Sequence, residues 1–570
     1  MANQEAHHHY HHYLVLAIIL VLPLLLLVKL RPRKHGGENP PPGPWQLPVI
    51  GSLHHLVGAL PHRAMRDLAH RLDAPLMLLR LGELRVVVAS SAGAAREVMK
   101  THDAAFATRP RTATIRALTR DGLGVAFAPH GAHWREIRKL CVTELLGARR
   151  VRSLRGSREA EAASLVASVV ASLAASASEP VNVSTLLATY VTDAVVRAVV
   201  GDRIGDLRDE FLDRLDEGVK VAAGFSLADL FPSSRLARAF SGAARRAEAH
   251  SREMSRLMDG IIAEHRERKR TAGAGDDDRD LLDVLLRIQA DGGLRAPLDI
   301  GTIRAVITDL FGAGSETSAT TLQWAMAELM RSPAALRRAQ AEVRGALPGE
   351  SRVREEVLPE LRYLHLVIKE TLRLHPAVPL LLPRECTEPQ SMLGHDVPKG
   401  AMVLVNAWAI GRDTASWGVD AEEFRPERFE EAGGGRLSGG GLRARAVRRR
   451  PEDVPRDNVR ARRHGARVGE PPLPLRLGAP RRRGWTGHGG GARDHSEEEK
   501  RSVAACHRSC ATLVYSCTGS FCVRARSCYQ SAALLFDALQ IPLLRALFHF
   551  SYVYIRWLKI EFGPVDFPDS

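Results

Sequence analysis

A long apolar helix interrupted by small and polar residues constrains this chain more than any other feature. Between residues 301 and 332, apolar residues recur at spacings of three and four, and Pro333 follows. This pattern predicts a helix with one buried face that ends before the proline. Its middle reads F-G-A-G-S-E-T-S (311–318), where each glycine costs about 1 kcal/mol relative to alanine. Two interpretations stay open: a core helix with a polar bulge, or a broken turn that faces a bound small molecule and relays protons.

The segment from Ala313 to Ser318 resembles the oxygen-binding helix of the cytochrome P-450 family, whose pattern is A/G-G-x-D/E-T-T/S. The resemblance implies that Ala313 and Gly314 would lie against the cofactor, with Gly314 making room for dioxygen. It also implies that Thr317 and Glu316 are catalytic: the hydroxyl would hydrogen-bond the bound oxygen, and the carboxylate would help to deliver protons.

A second motif, W-R-E-I-R-K, begins at Trp134. Trp134 and Arg138 are four residues apart and therefore share one helical face, where a surface stack of the two side chains is the ordinary interpretation. The same letters match the family pattern W-R-x-x-R-K, in which both side chains bind a haem propionate. By resemblance, Trp134 and Arg138 would hold the cofactor, and the fixed charge of arginine suits a carboxylate.

A third group of residues resembles the E-x-x-R and P-E-R-F motifs of the family. Glu370 and Arg373 stand in E-T-L-R, and Arg428 stands in P-E-R-F. An ion pair three residues apart is usually a surface bridge, but in the family these three residues would form a buried charge network. Between the motifs, residues 376–384 resemble the strand that lines the substrate pocket, and Arg384 would be a second propionate contact.

These motifs, in this order over some 400 residues, imply a mainly α fold with small β-sheets, haem as the cofactor and no metal ligand among the matched residues. They resemble the plant microsomal group. That group implies a monooxygenase that inserts one oxygen atom from O2 into a lipophilic terpenoid, phenylpropanoid or alkaloid, with electrons from an NADPH-dependent reductase.

Periodicity also predicts individual elements within residues 51–432, which we assign to the catalytic domain. We expect a hairpin over 77–82 and 85–89, a loop over 271–278 and helices over the following ranges: 92–102, 134–146, 159–175, 183–200, 243–270 and 280–290.

The N-terminal region predicts a membrane anchor. Residues 13–30 are nearly all aliphatic, which is just long enough to span hydrocarbon. Arg31, Arg33 and Lys34 follow, so the positive-inside rule places the rest of the chain in the cytosol. A cleaved signal peptide fits poorly because the charges stand on the wrong side. We therefore predict an anchor over 1–30, a basic and proline-rich hinge over 31–50, and location in the endoplasmic reticulum membrane.

The formal charge of +15 suggests nucleic acid or an acidic membrane as a partner, but its distribution argues against nucleic acid. Residues 436–493 contain 16 Arg, no Lys, two Asp and two Glu, a net charge of +12. The basic character therefore belongs to one Arg/Gly/Pro-rich segment, 433–501, and not to the domain. Its composition predicts disorder or poor packing.

The family pattern fails inside this basic segment. The chemistry needs a cysteine thiolate from the motif F-x-x-G-x-R-x-C-x-G, yet no cysteine occurs between Cys386 and Cys506. In the neighbouring reading frame, permitted codons for residues 442–462 spell a sequence that includes F-G-A-G-R-R-M-C-P-G. We hypothesise that 433–501 is read out of frame and that the cysteine-containing apolar tail, 502–570, lies beyond the normal stop. The chain would then lack its C-terminal core and have little or no activity. The alternative is a non-catalytic, membrane-anchored protein with a basic interaction arm.

Overall fold

The computed structural model describes residues 39–175, 181–201, 207–222, 225–272, 280–292, 298–347, 355–431 and 522–523. All of them belong to one compact unit. The predicted anchor over 13–30 and nearly all of the two C-terminal segments lie outside the described residues.

Helices dominate the described unit, as the sequence predicted. The α-helices, in chain order, are α1 Pro61–Leu72, α2 Ala92–Arg96, α3 Ala113–Thr119, α4 Ala132–Leu140, α5 Ala148–Ser153, α6 Arg155–Ala175, α7 Val183–Val200, α8 Arg208–Ala222, α9 Leu227–Leu230, α10 Arg235–Ser241, α11 Ala243–Ala272, α12 Leu281–Asp291, α13 Ile300–Arg331, α14 Pro333–Ala346, α15 Arg362–Leu374, α16 Ala407–Ile410, α17 Thr414–Trp417 and α18 Arg428–Glu431. Wider π turns, Glu97–Thr101 and Cys141–Leu145, continue α2 and α4.

The strands are short and form small sheets. They are β1 Leu76–Leu81, β2 Leu84–Ala89, β3 Val181–Asn182, β4 Arg384–Glu385, β5 Gln390–Met392, β6 His395–Val397, β7 Met402–Val405 and β8 Cys522–Val523. One sheet has the order β1-β2-β7-β4, in which only the β2–β7 pair is parallel; β3–β8 and β5–β6 are antiparallel pairs. The mainly α fold with small sheets is thus confirmed.

Helix α13 runs through the largest apolar core and packs along α7. Asp299 begins α13 by accepting a hydrogen bond from the amide of Thr302 at 2.8 Å, and Pro333 follows its last turn. Helix α7 is capped by Asn182 and ends at Gly201, whose φ of 76° suits glycine. Helix α7 is also long and apolar enough to cross a membrane, but half of its residues are buried inside the fold, which fits a core helix.

The predicted hairpin and helices are present, with ends shifted by a few residues. One expectation needs correction. Residues 271 and 272, which we expected in a loop, complete the last turn of α11. From Asn39 onward the proline-rich stretch is bonded to the fold: the amide of Leu78 donates to the Pro42 carbonyl at 2.9 Å, and Asn39 Nδ2 donates to the Gly394 carbonyl at 2.8 Å.

The centre of α13 is held by an aromatic pair. The rings of Phe211 and Phe311 meet edge to face with their centroids 4.7 Å apart, and neither side chain is exposed. We predict that Phe311→Ala lowers the free energy of unfolding by about 3–5 kcal/mol because it leaves a cavity in a close-packed core. Urea unfolding would measure this loss. The control is Phe240→Ala, a mainly exposed position, and an equal effect of both changes would contradict the prediction.

Candidate functional site

The polar turn of α13 does not interrupt the helix, so of the two open interpretations the broken turn is wrong. Within this continuous helix the hydroxyls bond back to carbonyls one turn earlier: Thr317 Oγ1 donates to the Ala313 carbonyl at 2.6 Å, and Thr321 Oγ1 donates to the Thr317 carbonyl at 2.8 Å. The Thr317 oxygen keeps its lone pairs and can still accept a hydrogen bond.

The two residues predicted to be catalytic lie in different environments. Thr317 is buried, whereas Glu316 is exposed and its Oε1 lies 3.5 Å from Thr320 Oγ1. Consecutive residues on a helix point in directions about 100° apart, so this difference follows from the geometry. Water can exchange protons with the exposed carboxylate of Glu316, and the buried hydroxyl of Thr317 can donate and accept hydrogen bonds.

Gly314 has a packing role that the sequence did not indicate. A Cβ at this position would lie 3.3 Å from Cγ2 and 3.5 Å from Cγ1 of Val195 in α7. The missing side chain therefore lets α7 approach α13 closely. At Gly312, by contrast, a Cβ would meet no atom within 4 Å.

Trp134 and Arg138 lie together on the buried face of α4. The guanidinium carbon of Arg138 is 5.1 Å from the centre of the Trp134 ring, and Trp134 Nε1 donates to the Val125 carbonyl at 3.1 Å. The stack predicted from sequence is present, but both residues are buried, so it is not a surface stack. Burial lowers the pKa of Arg138 while the nearby Asp103 opposes this shift, which marks a poorly solvated cation that favours an anionic partner.

Arg384, on strand β4, also lies close to Asp103. Its side chain is buried, and Nη1 donates to Asp103 Oδ1 at 2.9 Å and to the Phe106 carbonyl at 3.4 Å. Asp103 therefore pairs with Arg384, and its charge also favours the protonated form of Arg138. Sequence reasoning did not assign a role to Arg109, which is also buried and donates to the carbonyls of Leu382 and Pro383, each at 3.2 Å. Its position in F-A-T-R-P was the available signal.

Glu370, Arg373 and Arg428 are brought together in the core. Both carboxylate oxygens of Glu370 accept from Arg373 at 2.7 Å, and Arg428 Nε donates to Oε1 at 2.8 Å. The amide of Arg425 adds a fourth hydrogen bond at 2.9 Å. Glu370 is fully buried, so this cluster is not the ordinary surface bridge.

The described residues fit a haem at its propionates and on its oxygen side, but none of them supplies the thiolate ligand of the iron. Buried cations on α4 and β4 suit the propionates, and the polar turn of α13 suits the oxygen side. Within residues 39–431 the cysteines are Cys141 and Cys386, and burial raises their pKa values to about 12 and about 11. Cys386 Sγ also donates to the Glu388 carbonyl at 2.9 Å. Both groups are therefore thiols rather than thiolates, and neither suits an iron ligand.

Comparison with known proteins identifies the class. The family model described as Cytochrome P450 matches residues 40–441, and the chain belongs to this family. The chain is 46% identical over 399 residues to zealexin A1 synthase of Zea mays, which covers 69% of this chain and 77% of the relative. It is 44% identical over 393 residues to desmethyl-deoxy-podophyllotoxin synthase of Sinopodophyllum hexandrum, covering 68% and 76%.

A solved structure of a zebra fish cytochrome P450 with progesterone is similar to 66% of this chain and 85% of that one, with a TM-score of 0.56 and 28% identity. The family and its fold, inferred from the motifs, are therefore confirmed, and the chain is of the monooxygenase class of oxidoreductases. The roles of individual residues remain predictions.

We predict that Glu370→Ala lowers the free energy of unfolding by about 3–5 kcal/mol, because it leaves two buried guanidiniums without their carboxylate. Thermal or urea unfolding of the full chain would measure this loss. Glu267→Ala is the matched control, since it removes an exposed ion pair with Arg270 at the same spacing of three residues. The control should change stability little. Equal effects of the two substitutions would show that the buried network is not the cause.

Proposed function

We propose that this protein derives from a membrane-bound haem-thiolate monooxygenase that oxidises a lipophilic terpenoid-type molecule. One observation carries the proposal: Arg138 and Arg384 are buried cations, the first of them stacked on Trp134, in a fold whose longest helix carries the buried hydroxyl of Thr317. Relatives of the chain include dolabradiene monooxygenase of Zea mays, 46% identical, and premnaspirodiene oxygenase of Hyoscyamus muticus, 42% identical. Their names denote hydrocarbon substrates, which supports an apolar substrate here.

In this proposal each site residue has a defined task. Haem held by a thiolate supplies the one-electron and dioxygen chemistry. Arg138 and Arg384, with Trp134 beside them, hold the two propionate carboxylates by charge and hydrogen bonding. Thr317 accepts and donates hydrogen bonds at the oxygen side, and Glu316 exchanges protons with solvent. Ala313 and Gly314 keep that side of the helix free of bulky side chains.

We place the protein on the endoplasmic reticulum membrane with residues 51–432 as the cytosolic catalytic domain, served by an NADPH-dependent reductase. The predicted anchor over 13–30 supports this placement. So does a set of exposed apolar side chains on two neighbouring segments: Trp45, Val49 and Val57 on the first, Leu236 and Phe240 on α10. The turn between β1 and β2 joins the two segments, because Gly82 donates to the Ile50 carbonyl and Glu83 donates to the Leu230 carbonyl. Apolar side chains flanked by arginines suit a lipid interface.

We predict that replacing both Leu236 and Phe240 by Glu weakens lipid binding of the chain that begins at Asn39. Losing two inserted side chains should reduce partition into phosphatidylcholine vesicles by roughly tenfold or more. Vesicle sedimentation measures this change. Val419→Glu is the control, because Val419 is fully exposed but lies in the segment after α17. A control that loses as much binding as the double variant would contradict the proposed surface.

We further propose that the chain with the printed sequence has little or no activity, because residues 433–501 are read out of frame and the thiolate ligand is lost. The family match ends at residue 441, directly before residues 442–462, whose neighbouring frame can spell a sequence that includes the cysteine motif. The buried, protonated character of Cys141 and Cys386 supports the same conclusion. The alternative, a non-catalytic membrane protein with a basic arm, applies if this reading frame is the expressed one.

The deciding experiment is to sequence the transcript across the codons for residues 429–500 and to express both versions of the chain. We expect the frame-restored protein to give the reduced carbon monoxide spectrum typical of thiolate-bound haem, and the printed chain to give none. Replacing the restored cysteine by serine is the matched control and should abolish the spectrum. A thiolate-type spectrum from the printed chain would contradict the proposed inactivity. No spectrum from the frame-restored chain would contradict the proposed monooxygenase.

A further inference from the structure

Residues 123–128 (L-G-V-A-F-A) lie outside the regular elements and are held from two sides. From α4, Trp134 Nε1 donates to the Val125 carbonyl at 3.1 Å, and His133 Nε2 lies 3.0 Å from the Leu123 carbonyl. From α13, the carboxylate of Asp309 accepts from the amide of Ala126 at 3.0 Å. The segment is therefore bonded to two helices that carry residues of the candidate site.

Asp309 is not used in the mechanism proposed above, yet its surroundings are closely fitted to its carboxylate. The amide of Ala126 donates to it at 3.0 Å, while burial raises its pKa to about 6 and the backbone amides of Ala126 and Val125 oppose that rise. A Cβ at Gly124 would stand 2.1 Å from Asp309 Oδ2 and 3.2 Å from the Ala305 carbonyl. Only a glycine at 124 therefore lets the carboxylate reach the amide of Ala126.

Asp309 also lies close to the end of α4. Burial first, and the charge of Asp309 second, raise the pKa of Cys141, the residue that directly follows that helix. Along α13, Asp309 stands eight residues before Thr317, which corresponds to about 12 Å of helix. Along α4, Arg138 stands one turn after Trp134.

We propose that Asp309 is a positioning residue, whose carboxylate fixes the 123–128 segment between the helix that carries Thr317 and the helix that carries Trp134 and Arg138. The link has two bonded steps: Asp309 to the amide of Ala126, then the carbonyl of the preceding residue, Val125, to Trp134. The functional importance of the residues that the link positions rests on the proposed function. The link itself rests only on the contacts described above.

The first test is hydrogen exchange, followed by mass spectrometry, on the full chain. In Asp309→Leu we expect amide exchange of the 123–128 segment to rise at least tenfold while the centre of α13 stays protected. The indole emission of Trp134, isolated by comparison with Trp134→Phe, should shift in the same variant because Val125 no longer holds its N–H. Asp309→Asn keeps one acceptor oxygen and should restore part of the protection.

The matched control is Asp259→Asn. It removes the charge of an exposed aspartate on α11 that is bonded to Arg304 of α13, the helix of Asp309. It should leave the 123–128 segment and the Trp134 emission unchanged. Unchanged exchange in Asp309→Leu would overturn the proposal. An equal rise over all helices would also overturn it, because Asp309 would then support the fold generally.

A second test does not depend on Asp309→Leu folding. Gly124→Ala should destabilise the protein, since the new methyl group meets the carboxylate of Asp309. In the Asp309→Ala background the same change should cost clearly less, which is a non-additive double-mutant cycle. Additive effects would overturn the proposal. None of these measurements requires haem, so a missing carbon monoxide spectrum would count against the proposed function and leave this inference standing.

Discussion

One buried carboxylate, that of Glu370, joins helix α15 to the segment that follows α16. It accepts two hydrogen bonds from Arg373 within its own helix, one from the side chain of Arg428 and one from the Arg425 amide. Arg373 in turn donates to the carbonyls of Ala421 and Glu423. A charge in such a site is tolerated only because two guanidiniums and a backbone amide pair with it. The segment from residue 411 to α18 is therefore arranged around a group that water cannot reach.

The sequence predicted the elements that depend on local pattern. The caps, apolar spacings and prolines that bound α7 and α13 stand next to each other in the chain, so their effect is visible without a structure. The charge network was also accessible, because its members belong to motifs whose order matches the family. Residue roles inferred from that resemblance remain predictions, even where the side chains meet.

Features that depend on contacts between distant segments were not predictable. Nothing near Gly314 in the sequence indicates that Val195 packs against it, and nothing near Arg384 indicates Asp103 as its partner. The continuous helix through 311–318 was one of two open interpretations, because glycine and hydroxyl residues do not by themselves decide whether a helix is interrupted. Asp309 escaped notice because its partners are backbone amides, which carry no sequence signature.

The docked proline-rich stretch limits how the domain can move relative to a bilayer. Since Asn39 and Pro42 are bonded to the folded unit, a proposed anchor that ends at residue 30 leaves only residues 31–38 as a tether. Eight extended residues reach about 28 Å at most. With such a short linker, the domain would stay at the membrane surface and its rotation would be restricted. An apolar molecule dissolved in the bilayer would then meet the protein from a limited range of directions.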